Sequence, residues 1–301
     1  MAALSSQRET GAASAEGDTV RLFSAWFCPF AQRAWIALEA KGVKYEYVEV
    51  DPYAKPAELM AVNPRGLVPA LLHITQHGEQ QGEQQQQGEQ QKTRCLYESS
   101  VIMEYIDEAF PPSPLASSAA AGSGAGSGSS AAAAAGSTGM HLMPWDAYER
   151  AQVRMWMDFV NRKIVPTFYR YLQKQSREEQ EAERAAVISY YEQLGAAMDS
   201  ISPEGPFFLG QRFSLMDISL APWVLRHDIL QFYRNFSLPS HDGSSPALRR
   251  FLMWETAIGA HPSVRATLAD RDRLREIYKR YADNTATSEV AVAINRGTAL
   301  P

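Results

Sequence analysis

A Cys-Pro step constrains this chain more than any other local feature. Cys28-Pro29 stands where a short β-prone run, Thr19–Ser24 (TVRLFS), gives way to a helical one. Proline suits the first position of a helix, because its missing N–H would have no intrahelical partner there. Ala34, Ile36, Ala37 and Leu38 continue the helix, and Gly42 supplies its C-terminal stop. Lys44–Val50 (KYEYVEV) then alternates Tyr or Val with charge, the period of a strand. Parallel neighbours need a crossover connection, so strand, helix, strand over this span predicts a parallel βαβ unit.

Residues 56–112 complete a small α/β domain. Residues 56–62 read as a short helix, and Asn63-Pro64-Arg65-Gly66 as a turn. Leu67–Leu72 leads into a second apolar strand, and Arg94–Tyr97 resumes as another. Pairing 70–74 with 94–97 makes a hairpin. The Gln/Glu/Gly segment 76–92 becomes its oversized loop, expected to be disordered because it has no large apolar residue to bury. Glu98–Phe110 reads as a helix with Val101, Ile102, Tyr105 and Ile106 on one face, ended by Pro111-Pro112. The order is βαβ, then ββα, over residues 19–112.

The remainder changes character. Residues 1–18 are expected to be a disordered N-terminus. A low-complexity stretch within 113–140, nearly all Ala, Ser and Gly, reads as an interdomain linker. Residues 141–283 read as all helical. From Ala147 to about Leu172, Val153, Trp156, Met157, Val160 and Ile164 mark an amphipathic helix bent near Pro166. Residues 178–200 make a second helix with Val187, Tyr190, Tyr191 and Leu194 inward. Ser214-Leu215-Met216-Asp217 resembles a capping box and opens a helix over Ile218–Leu230, bent at Pro222. Helices at 246–258 and 263–282 come next, and 284–301 reads as an irregular tail.

Composition closes off several classes. Lys+Arg number 29 against 34 Asp+Glu, a net charge of −5, so no broad basic surface for nucleic acid is expected. No run approaches the roughly 18 apolar residues of a membrane span. The N-terminus lacks an apolar signal core and carries Glu9, Glu16 and Asp18 beside Arg8, which argues against secretory and transit peptides. The chain has 2 cysteines, too few for a disulfide scaffold, so a reducing cytoplasmic compartment is the expectation.

Cys28 is the candidate nucleophile. A thiol at a helix N-terminus meets free N–H groups and the positive end of the macrodipole, which favour thiolate, the reactive form. The bland counterpart is a buried, inert cysteine. A dithiol oxidoreductase would carry a second Cys three residues on, but Ala31 stands there. Cys95 falls in a predicted central strand and reads as core. Redox work at Cys28 therefore calls for an external thiol, and that points to glutathione. Arg33, on the following helix, reads as an exposed ion-pairing residue outside the catalytic set. Trp156, Tyr148 and Trp223 are weaker candidates for an acceptor pocket, since aromatics at helical spacing are more often core.

Trp26-Phe27-Cys28-Pro29-Phe30-Ala31-Gln32-Arg33 resembles the active-site segment of omega-class, cysteine-type glutathione transferases. Lys55-Pro56 followed by Asn63-Pro64-x-Gly66-Leu67-Val68-Pro69 is similar to the same family at the same spacing, as is Leu96-Tyr97-Glu98-Ser99-Ser100. Ser214-x-x-Asp217 resembles the capping box of its helical domain. The resemblance implies a thioredoxin-like N-terminal domain followed by an all-helical C-terminal domain that builds most of the acceptor site. It implies glutathione as co-substrate and a cis peptide before Pro69, leaving the Val68 backbone to pair with the cysteinyl part. Ser99 would take the γ-glutamyl carboxylate, Glu98 its ammonium and Lys55 the glycine carboxylate, while Phe30 would pack beside the site.

On this resemblance the expected activity is that of a transferase and oxidoreductase. Cys28 would pass through a glutathione mixed disulfide in deglutathionylation and dehydroascorbate reduction. The partners would be glutathione and a small electrophile, disulfide or dehydroascorbate, in a cytoplasmic homodimer with no metal, nucleic acid or membrane. Alternatives are a conjugating transferase, dehalogenase or etherase on the same scaffold, a non-catalytic glutathione-fold regulator or scaffold, and a membrane-inserting relative. The acceptor itself is not named by the residues.

Overall fold

A computed structural model describes residues 6–8, 18–77, 90–111, 140–240 and 243–301. The chain divides into two compact units, Met1–His141 and Leu142–Pro301. Most of the expected N-terminal segment, the centre of the Gln-rich loop and nearly all of the expected linker lie outside the described residues.

The first unit is a five-stranded mixed sheet with strands β1 (Ser6–Arg8), β2 (Thr19–Ser24), β3 (Tyr45–Glu49), β4 (Ala70–His77) and β5 (Gln90–Tyr97), in the order β1-β3-β2-β4-β5. Strands β2 and β3 run parallel, joined by α1 (Pro29–Lys41) as a βαβ unit. Strand β4 is antiparallel to β2, and β5 to β4, with Leu71 opposite both Leu22 and Leu96. Helix α2 (Ala57–Val62) lies between β3 and β4, and α3 (Ser99–Ala109) comes after β5. One cluster of the core comprises Phe23, Val48, Val50, Leu59, Val62 and Ala70.

Several expectations change here. Residues 1–18 were expected to hold no element, yet β1 pairs antiparallel with β3, a three-residue backbone pairing with no side-chain signature. The hairpin ladder runs on to the pair His77–Gln90, so both strands enter the segment expected to be loop at 76–92. On α3, Val101 is exposed, while Met103 joins Ile102 and Ile106 inside. Cys95 is exposed rather than core, because β5 is the edge strand and not a central one.

Helix α1 is buried nearly all round, charges included. Lys41, in its last turn, donates to the Asp107 carboxylate of α3 at 2.8 Å, to the Asp107 carbonyl at 3.2 Å and to the Met140 carbonyl at 3.0 Å. The C-terminal charge also suits the negative end of the α1 dipole.

The second unit is helical: α4 (Ala147–Phe159), α5 (Val165–Gln173), α6 (Arg177–Ile201), α7 (Leu215–Val224), α8 (His227–Arg234), α9 (Pro246–Ala260), α10 (Pro262–Arg265), α11 (Arg271–Ala282) and α12 (Glu289–Arg296). The bend expected near Pro166 is a π-helical turn, Val160–Ile164, between α4 and α5. Proline withholds an N–H and crowds the preceding turn, and a widened turn accommodates both. The single helix expected over Ile218–Leu230 breaks instead after Val224, with Pro222 inside α7. The helix expected at 263–282 is split into α10 and α11, with Asp270 capping the latter. The tail is not irregular throughout: Ser288 accepts from the Ala291 N–H to start α12, and Gly297 in the left-handed region ends it.

Two devices lock this unit. Asp217 is fully buried and accepts from Ser214 N–H at 2.8 Å, Ser214 Oγ at 2.6 Å, Phe208 N–H at 2.9 Å and Trp254 Nε1–H at 2.7 Å. Burial raises its pKa from the ordinary carboxylate value despite these bonds. Helices α6 and α9 meet so closely at Gly195 that a Cβ there would stand 1.8 Å from the Ala247 carbonyl oxygen. No helix among the described residues is long and apolar enough to cross a membrane.

Candidate functional site

The candidate nucleophile sits at the junction of β2 and α1. Cys28 is the N-cap of α1, with extended backbone (φ −80°, ψ 117°) and Pro29 next. Its N–H donates to the Ala25 carbonyl at 2.8 Å, and its carbonyl accepts from Gln32 N–H at 3.0 Å, so the turn closes directly into the helix. The turn is also held from β3. Both oxygens of the Glu49 carboxylate accept from Trp26 N–H, at 3.3 and 3.2 Å, and one also accepts from the Tyr47 hydroxyl at 2.9 Å. Burial above all, and then the Glu49 charge, drives the Tyr47 pKa up. Trp26 and Phe27 meet edge to face at 5.6 Å, and Phe27 stacks on the exposed Tyr53.

The Cys28 thiol faces the turn that ends at Pro69. Its Sγ lies 3.9 Å from the Val68 carbonyl oxygen, and the Val68–Pro69 peptide is cis. Buried Asn63 braces this turn: its Oδ1 accepts from Arg65 N–H at 3.0 Å and its Nδ2 donates to the Leu67 carbonyl at 2.8 Å. Gly66 is required by both backbone and space. Its φ is +65°, and a Cβ would meet the Lys55 Cδ and Met60 Sδ, each at 2.8 Å. Lys55, itself at φ 44°, thus crosses over Gly66 and donates from Nζ to the Arg65 carbonyl at 3.1 Å.

A second group of polar atoms gathers at the start of α3. Glu98 is its N-cap, at φ 73° and ψ 112°. A non-glycine residue in so sparsely populated a region stores on the order of 1–3 kcal/mol, which the surroundings must hold. Its carboxylate Oε1 is paired with Arg65 Nη1. Ser99, the first helical residue, is buried, and its Oγ accepts from Arg33 Nη1 at 3.3 Å. Backbone N–H groups at a helix N-terminus suit an anion. The guanidinium of Arg33 lies 5.7 Å from the Phe30 ring centroid, on the same turn of α1 as the nucleophile.

The predicted residues therefore fall into two linked groups. Cys28 meets the Val68-Pro69 turn, and Lys55 and Glu98 meet each other's neighbourhood through Arg65. Two residues were missed. Arg33 was expected to be exposed and is 1% exposed, because α1 is covered on the side that faces α3 as well as on the sheet side. Arg65 was read only as part of a turn; a cation two residues after the Asn that braces the turn was the available signal. Of the weaker candidates, Trp223 is core, Tyr148 is exposed and Trp156 packs between Phe159 and Phe208. No group of three or more His, Cys, Asp or Glu among the described residues could hold a metal ion.

Two family models match this chain, the glutathione S-transferase N-terminal domain at residues 27–109 and the glutathione S-transferase C-terminal domain at residues 181–280. The chain belongs to the glutathione S-transferase family. It is 30% identical over 204 residues to a probable glutathione S-transferase of Nicotiana tabacum, covering 66% of this chain and 67% of the relative. It is 24% identical over 266 residues to glutathione S-transferase omega-1 of Sus scrofa, covering 88% and 87%. Among solved structures, glutathione transferase Omega 3C of Trametes versicolor superposes with a TM-score of 0.65 at 33% identity, over 89% of this chain and 92% of that one. The thioredoxin-like first unit and helical second unit are those of glutathione transferases, and the family's co-substrate is glutathione.

Proposed function

We propose that this transferase is a glutathione-dependent thioltransferase and reductase of the omega type, acting through a Cys28–glutathione mixed disulfide. One observation carries the reading: a cysteine, rather than a hydroxyl residue, occupies the N-cap of α1 with its sulfur at the Val68 carbonyl. A thiolate there attacks the disulfide of a glutathionylated acceptor. The acceptor thiolate leaves and takes up a proton, and Cys28 is joined to the glutathione sulfur. A second glutathione thiolate attacks that bond, giving glutathione disulfide and free Cys28. Dehydroascorbate reduction runs through the same mixed disulfide, with two glutathiones supplying the two electrons.

The same reading gives each neighbour a part. The Val68 backbone, before Pro69, pairs with the cysteinyl portion of glutathione in the manner of an added strand. Ser99 at the start of α3 receives the γ-glutamyl carboxylate, the Glu98 carboxylate its ammonium and Lys55 the glycine carboxylate. Phe30 packs beside the sulfur. A cytoplasmic homodimer belongs to the same proposal. Conjugation of electrophiles is the second reading, since the chain is similar to a probable glutathione S-transferase of tobacco as well as to an omega-1 transferase. A hydroxyl that stabilises the glutathione thiolate serves conjugation, whereas a cysteine competes by forming a disulfide.

The test is Cys28→Ala. Exchange with hydroxyethyl disulfide should be lost while glutathione binding is kept, and full activity in this variant refutes the reading. Mass spectrometry after glutathione disulfide should find one adduct on Cys28, removable by excess glutathione; an adduct confined to Cys95 overturns it.

A further inference from the structure

The Arg65–Glu98 ion pair is placed oddly for a structural contact. Both side chains are well exposed, at 41% and 48%. Such pairs contribute about 0–1 kcal/mol to stability, too little to explain why a strained residue presents one partner. Arg65 is nevertheless fixed at its backbone. Its N–H donates to Asn63 Oδ1, its carbonyl accepts from Lys55 Nζ, and the Gly66 N–H closes the turn onto the Asn63 carbonyl at 2.8 Å. The pair itself uses one atom on each side, Nη1 of Arg65 and Oε1 of Glu98. Among the described residues, Nε and Nη2 of Arg65 and Oε2 of Glu98 take no protein partner. A donor edge and an acceptor oxygen thus stand side by side next to the N-terminus of α3.

We propose that Arg65 binds the α-carboxylate of the γ-glutamyl group, so that Arg65 and Glu98 together read an α-amino-acid zwitterion. This rests on the glutathione reading above. An ammonium and a carboxylate on one carbon present opposite charges a few ångströms apart, and an Arg–Glu pair is their complement. The ammonium meets Glu98, and the carboxylate lies between Arg65 and the Ser99 hydroxyl. Arg33, beneath Ser99, adds a second positive charge on the same side. The arrangement resolves an electrostatic conflict. If Arg65 only neutralised Glu98, it would compete with the incoming ammonium; bridged by the carboxylate, both cations gain. The site therefore selects thiols that carry a free amino-acid head, glutathione and γ-glutamylcysteine, over cysteinylglycine, which lacks the γ-glutamyl group.

The experiment is calorimetric titration of the full chain with S-methylglutathione, which cannot form a disulfide with Cys28, and with S-methyl-(4-aminobutanoyl)cysteinylglycine, which keeps the ammonium and lacks the α-carboxylate. Arg65→Ala should weaken S-methylglutathione about tenfold, or about 1.4 kcal/mol. The decarboxylated ligand should bind wild type and variant within about twofold of each other, since the group that Arg65 contacts is gone. Arg65→Lys should fall between, because a lysine keeps the charge and loses the fork. Equal or tighter binding of S-methylglutathione by Arg65→Ala overturns the proposal, as does an equal loss for both ligands, which would mean that Arg65 acts only by shaping the turn. Failure of the wild-type chain to bind S-methylglutathione sinks the glutathione reading itself, so the wild-type titration separates the two failures.

Discussion

Lys41→Met should destabilise the first unit without touching its chemistry. The Lys41 ammonium and the Asp107 carboxylate are 0% and 3% exposed. The substitution withdraws the ammonium from that carboxylate and from the Asp107 and Met140 carbonyls. Breaking a buried ion pair by removing one partner costs about 3–5 kcal/mol, a large share of the roughly 5–15 kcal/mol that holds a native protein. The first unit has fewer than 100 described residues, so at about 4–8 °C per kcal/mol for 60–100 residues its melting temperature should fall by roughly 12–40 °C. Replacing both partners removes the charge left behind, so Lys41→Met with Asp107→Leu should recover most of the loss. Scanning calorimetry and urea unfolding followed by circular dichroism would measure both. Cys28 lies at the other end of α1, roughly 20 Å away along a helix of 13 residues. Its rate of alkylation by iodoacetamide, read well below the lowered melting temperature, should match wild type. A loss under about 1 kcal/mol for Lys41→Met would refute the reasoning, because a pair so cheaply broken is one that water reaches.

Two other outcomes are expected from the structure. The His261 ring lies flat on Phe213 at 3.8 Å, and burial pushes its pKa down to about 4. Its folded value lies below the unfolded value of about 6.5, so the native state binds fewer protons. Stability from this residue is therefore full above about pH 6.5 and is lost as pH falls towards 4. Burial lowers the pKa of His73 too, so His261→Phe should flatten the acid limb of the stability curve, measured by urea midpoints at pH 4–7, without abolishing it; an unchanged slope would count against the assignment. Replacing residues 78–89 by an Asn-Gly turn, which suits a two-residue hairpin, should leave S-methylglutathione affinity within about twofold; a large loss would make that segment part of the site.

The parts of the fold that were legible in the sequence are those written locally. A proline after Cys28, a glycine after Lys41 and alternation over Lys44–Val50 are enough for βαβ, and Ser214 with Asp217 is enough for a helix start. The illegible parts depend on partners distant in the chain. Hydrophobic periodicity assumes one wet face, and α1 has none to speak of, so Arg33 and Lys41 gave no sign of being inside. Cys95 has the neighbours of a core strand, but the pairing order leaves β5 at the edge. Eight residues of α12 are too few for a clear period, and β1 is a backbone pairing alone. At the candidate site, Cys28 stands at the Val68 carbonyl, Glu98 caps α3 and Lys55 reaches the Arg65 carbonyl. Arg65 did not stand out, since its role lies in what Glu98 and Lys55 do with it, not in its own type.

The β4–β5 ladder has a consequence beyond the fold. His77 and Gln90 face each other as the last pair, and residues 78–89 join them. Once a loop is long, each doubling of its length adds only about 0.6 kcal/mol to the cost of closing it. Selection for stability is then nearly blind to how many glutamines stand between those two residues. Copying errors that lengthen or shorten the tract in whole codons would spread as neutral variants, while a single-residue insertion within 70–77 or 90–97 would turn a strand over and be purged. Alleles of this gene should differ in the length of that tract before they differ anywhere in the sheet.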